Sequence, residues 1–86
     1  GAGGPAADDI SLACAELSVR HALTPREAAV MELLARGRSR AYVGEALSLS
    51  ANTVNSYAKH AYAKLGVHSK QELIDMVERR RPRGTD

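Results

Sequence analysis

The chain has 86 residues, of which 44% are hydrophobic and 26% charged, an ordinary globular composition with room for one domain. Its single cysteine excludes an internal disulfide framework and any multi-cysteine zinc site; no apolar run reaches the ~20 residues of a membrane span, and no signal-peptide pattern is evident. The net charge of +2 hides a gradient, with −3 over residues 1–35 and +5 over residues 36–86, a footprint shared by nucleic-acid-binding proteins and merely solvated helices.

With no Trp or Phe and three Tyr, the Ala- and Leu-rich chain predicts an all-α, cytoplasmic domain of short helices packed over small side chains. Residues 1–8, opening Gly-Ala-Gly-Gly-Pro, have the composition of a flexible leader or an expression scar. From Asp9 the spacing of Ile10, Ala13, Cys14 and Leu17 predicts a first helix, capped by Asp8 or Asp9 and spanning residues 9–22 with its exit. Cys14 lies in that stripe and reads as a small buried hydrophobe. Thr24-Pro25-Arg26-Glu27 predicts a capping box opening a second helix, with Val30, Leu33 and Leu34 inward and Gly37 beyond its end. Ser39 caps a short third helix with Val43, Ala46 and Leu47 on its inner face. After the tight Ser48-Leu49 link, Ser50 caps a fourth helix over residues 51–65, burying Val54, Ala58, Ala61 and Leu65. Gly66 and Val67 fit a Schellman ending. Ser69 and Glu72 predict a second capping box, followed by Leu73, Ile74, Met76 and Val77 on a helix over 70–80. Residues 82–86 extend the basic run from Arg79 as a disordered tail.

Catalysis finds no support in this pattern. His21, His60 and His68 lack ligand spacing, and Ser39, Ser50 and Ser69 are all explained as caps. No cofactor and no metal site are expected. The pair of helices from Ser39 to Leu65, joined by a tight turn, has helix-turn-helix organisation, in which the second helix enters the major groove. An inward Val54, Ala58, Ala61 and Leu65 leaves Asn52, Asn55, Ser56, Lys59 and Ala63 outward. Asn pairs with adenine, Ser bonds several bases, and Lys reaches guanine or phosphate. Such residues also suit any solvated helix start, so spacing alone leaves both readings open. Tyr42, Tyr57 and Tyr62 read as half-buried anchors rather than as a single-strand stacking platform. Four apolar residues within 73–77 exceed what one small face must bury, which fits a two-fold partner.

Leu23-Thr-Pro-Arg-Glu27, Leu33-Leu-Ala-Arg-Gly37, Leu49-Ser-x-x-Thr-Val54 and Lys64-Leu-Gly-Val67 together resemble the DNA-binding domain of the LuxR/GerE family. The resemblance implies a four-helix core over 23–81, preceded over 9–22 by an additional helix or the end of a linker from a sensor domain, with recognition helix 51–65 and a last helix, 70–80, that forms the dimer contact on double-stranded DNA. It implies base contacts at Asn55, Ser56 and Lys59, to which the outward helix face adds Asn52, backbone contacts at Ser50, Thr53, Tyr57 and Lys64, and dimer contacts at Ile74, Met76 and Val77. A homodimer on DNA and RNA polymerase are the implied partners, with no membrane contact. The chain departs from the family pattern at four places. Asn55 stands where Lys or Arg is usual, and Tyr57 where His is common. Ala61 replaces a larger aliphatic residue, and Ala41-Tyr42 replaces a Lys-Glu pair. A protein-interaction module that keeps the fold without binding DNA is the alternative. A sigma-factor-like domain would lack the Lys64-Leu-Gly-Val67 ending.

Overall fold

The computed structural model describes residues 8–81. Helices α1 (Asp9–Arg20), α2 (Pro25–Ala35), α3 (Arg40–Leu47), α4 (Ala51–Leu65) and α5 (Lys70–Arg80) follow one another with no strand among the described residues. Of the leader expected over 1–8, residues 1–7 lie outside that range, as does the tail expected over 82–86, whereas Asp8 is described and caps α1.

Each helix begins at a side chain that accepts a first-turn N–H, as helix starts without such partners leave donors unsatisfied. Asp8, Thr24, Ser39, Ser50 and Ser69 play this part. The Thr24–Glu27 box is complete: Glu27 N–H donates to Thr24 Oγ1 at 3.2 Å and Thr24 N–H to Glu27 Oε1 at 2.9 Å. The box expected at Ser69 is half made. Glu72 Oε1 accepts from His68 N–H at 2.8 Å instead, because the strongly extended Ser69 (φ −152°) presents the preceding N–H. At the end of α4, Gly66 is left-handed (φ 77°) and Val67 N–H donates to Tyr62 O at 3.0 Å, the Schellman arrangement.

One core joins all five helices. Ala13, Cys14 and Leu17 of α1 meet Val30, Met31, Leu34 and Ala35 of α2, Val43 of α3, Val54, Ala58, Ala61 and Leu65 of α4, and Leu73 and Val77 of α5. Helix α2 is central and packs on the other four, so its buried stripe is wider than a single amphipathic face and takes in Met31 and Ala35. Leu33, expected inside, is half-buried. Ala46, also expected inside, is exposed, because α3 meets the core through Val43, with Gly44 and Leu47 half-buried beside it. Val77, expected at a dimer contact, is 1% exposed and belongs to the core. Ile74 and Met76 are half-buried beside it.

Helix α1 is tied down by charge as well as packing. Arg36 forms a two-pronged pair with Asp8 at 2.8 and 2.9 Å and also bonds Glu32 at 3.0 Å. Ser11 Oγ donates to Glu32 Oε2 at 2.8 Å within the same cluster. These contacts hold the Asp8 carboxyl well below the usual carboxylate range, chiefly through the Arg36 bond. Farther along, Arg80 Nε lies 3.3 Å from Glu16 and Arg81 lies 3.7 Å from Asp9, linking α5 to α1.

Candidate nucleic-acid interface

The turn between α3 and α4 is built by a close approach. Ser48 takes the left-handed conformation (φ 57°), which returns the chain so that Leu49 N–H donates to Gly44 O at 2.8 Å. A Cβ on Gly44 would stand 2.9 Å from Leu49 O, so glycine permits the crossing that sets α4 against α3.

From that turn α4 projects with Val54, Ala58, Ala61 and Leu65 buried and Asn52, Asn55, Ser56, Lys59 and Ala63 all exposed. The polar first half of the helix is therefore one continuous solvent-facing surface. At its start, Ser50 Oγ accepts from Thr53 N–H at 3.2 Å and donates to Thr53 Oγ1 at 2.9 Å. The remaining first-turn N–H groups have no intrahelical acceptor, and the helix dipole makes them attractive to an anion. Thr53 and Tyr57 are half-buried at the edge of this surface.

Cations gather beside it. Arg40, the first residue of α3, donates from Nη1 to Asn55 Oδ1 at 2.9 Å, and its guanidinium carbon stands 5.9 Å from the Tyr62 ring centroid. Burial raises the Tyr62 phenol above its ordinary value, and Arg40 opposes that shift. Arg38 covers the Tyr42 ring at 4.6 Å. An open cleft of about 460 Å³ runs between Arg40, Lys59, Tyr62, Gly66 and His68. Tyr42, expected half-buried, is 42% exposed under Arg38.

Lys64, expected at the DNA backbone, turns the other way. Its ammonium donates to Glu27 Oε1 at 2.7 Å and to Ala22 O at 3.1 Å. Glu27 is 5% exposed, and its carboxyl is held below the ordinary carboxylate value by Lys64 first and by the Thr24 N–H second. Lys64 thus closes the start of α2 against the end of α4.

Two residues of this site escaped the sequence reading. Arg40 carried a usable signal, since a cation in the first turn of a helix opposes the dipole and asks for a reason. Gly44 carried a weaker one: a glycine inside an eight-residue helix lowers its stability unless a backbone passes close by.

Residues 21–77 match the family described as bacterial regulatory proteins, luxR family. A protein of Mycobacterium tuberculosis provisionally named an HTH-type transcriptional regulator is 40% identical over 58 residues, covering 67% of this chain and 7% of that one. The Fimbriae Z protein of Salmonella typhimurium is 42% identical over 56 residues, 65% of this chain and 27% of its own. The uncharacterized response regulatory protein YgeK of Escherichia coli is 34% identical over 71 residues, 78% of this chain and 48% of its own. The chain therefore spans less than half the length of each of these relatives. No solved structure gives a significant match.

Proposed function

The chain belongs to the luxR family of bacterial regulatory proteins, and on that premise we propose that it reads double-stranded DNA by sequence, with α4 in the major groove. The observation that carries this reading is the outer face of α4, where Asn52, Asn55, Ser56 and Lys59 stand exposed on a helix whose opposite side is fixed in the core. Asn, Ser and Lys bond base edges, and their positions in the first turns are those that meet bases when a helix enters the groove end-on. Ser50, Thr53 and Tyr57 border the face and take the phosphate backbone. Lys64 is assigned to the fold and not to DNA.

Ile74 and Met76, half-buried on α5, form the contact between two copies on DNA; Val77 supports them from the core. Regulation of transcription in the cytoplasm, through RNA polymerase as a further partner, completes the reading. The relatives' names, transcriptional and response regulators, support it.

Selection from a randomised duplex library at low salt tests the proposal. A short enriched motif is expected, as an inverted pair of half-sites if α5 pairs two copies. Retention without enrichment would remove sequence reading, and no retention would leave the interaction-module alternative.

A further inference from the structure

The amide of Asn55 sits on the reading face, yet one end of it is already taken. Arg40 Nη1 donates to Oδ1 at 2.9 Å across from α3. A guanidinium has donors and no acceptor, so only the oxygen end of the amide can face it; the reverse orientation would set N–H against N–H. The Nδ2 end is therefore the one left free of Arg40, on a side chain that is exposed.

Besides Asn55, Arg40 faces Tyr62. It forms no salt bridge among the described residues. It occupies the first position of α3, where no acidic residue accompanies it in the first turn and the helix dipole disfavours a positive charge. Arg40 is exposed, but its guanidinium carbon lies 5.9 Å from the Tyr62 ring centroid, which favours one placement of the fork in front of α4.

We propose that Arg40 is a positioning residue for base reading: it locks the Asn55 amide so that α4 offers an N–H donor pair to the base opposite. The paired bond of an asparagine to adenine needs the amide oxygen turned to the N6 amino group. With that oxygen directed to Arg40, the matching edges are those rich in acceptors, guanine O6 and N7 or thymine O4. Asn55 then prefers guanine or thymine, and Arg40 sets that preference without touching a base.

The inference rests on the DNA-binding reading, and the test separates the two. Library selections are run in parallel on the 86-residue chain, Asn55→Ala and Arg40→Met, with circular dichroism confirming each fold. Methionine keeps the length and helix propensity of the stem and removes the fork. The position whose preference flattens in Asn55→Ala is the one Asn55 reads. Wild type should favour guanine or thymine there, and Arg40→Met should shift the preference toward adenine by roughly tenfold as the amide is freed to rotate. An unchanged preference in Arg40→Met, or adenine already preferred by the wild type, overturns the inference while the DNA reading stands. So does a uniform loss of affinity with a salt slope lower by about one, which marks Arg40 as a phosphate contact. A wild-type chain that enriches no motif overturns both.

Discussion

Replacing Lys64 by methionine separates a structural lysine from a DNA-binding one. The ammonium makes a 2.7 Å bond to a carboxylate that is 5% exposed, and a second bond of 3.1 Å to Ala22 O. A hydrogen bond between charged groups contributes about 1.5–3 kcal/mol. Stranding a fully buried charge costs about 3–5 kcal/mol, but Glu27 keeps its bond from the Thr24 N–H and the lysine side chain is 36% exposed. The expected loss is therefore about 2 kcal/mol, near the middle of the first range. In a domain of this size it lowers Tm by about 8–16 °C.

Urea unfolding followed by circular dichroism at pH 7 measures the loss, and a cycle with Glu27→Gln isolates the pair. Because the folded-state pKa of Glu27 is lowered from the ordinary 4.5, its contribution is complete above that value and fades as pH falls through the folded pKa. The gap between wild type and Lys64→Met should narrow as pH falls below 4.5 and close once Glu27 is protonated in the folded chain as well. The salt slope of DNA binding should stay the same. A variant as stable as wild type, with a salt slope lower by about one, would refute the structural assignment and return Lys64 to the backbone.

Gly44→Ala should destabilise the domain by about 1 kcal/mol despite alanine's better helix propensity, since the clash with Leu49 O costs about 1–3 kcal/mol; the same urea titration checks it. Val77→Ala should cost about 2 kcal/mol of monomer stability because it empties core volume. Met76→Ala, measured beside it, should mainly weaken binding to paired half-sites. Burial pushes the Cys14 thiol up to about 12, so a disulfide reagent at pH 8 should react with the native chain only as fast as α1 detaches. Immediate reaction would mean that α1 is not part of the packed domain.

Helix boundaries were legible because nearly every one is written in local chemistry: five side-chain caps, a proline in the first turn of α2, and a left-handed glycine after α4. The outer face of α4 was legible for a related reason, since the buried residues Val54, Ala58, Ala61 and Leu65 fix by periodicity what must point outward. Periodicity failed where a helix meets neighbours on several sides or only on one. Central α2 buries Met31 and Ala35, and peripheral α3 leaves Ala46 in solvent. Side-chain partners far apart in sequence were illegible altogether. Nothing local ties Lys64 to Glu27 or Arg40 to Asn55, because those pairs exist only once the helices have docked.

The charge gradient along the chain takes on a different meaning in the folded molecule. Read linearly, an acidic first third precedes a basic remainder. In three dimensions the acidic residues lie against specific cations: Asp8 on Arg36, Glu16 on Arg80, Asp9 on Arg81 and Glu27 on Lys64. Lys70 is turned onto the carbonyls of Gly37 and Arg38 at the end of α2. Of the described cations beyond residue 35, this leaves Arg38, Arg40, Lys59 and Arg79 without a carboxylate or backbone-carbonyl partner. Three of those four flank α3 and the exposed side of α4. A net charge of only +2 is then no argument against a polyanionic partner, because attraction depends on where unpaired charge is displayed rather than on the total. Helix α1 contributes to that display from a distance: it pairs Arg36 at the end of α2 and Arg80 and Arg81 at the end of α5, and leaves Arg38, Arg40 and Lys59 beside the exposed side of α4 unpaired with a carboxylate.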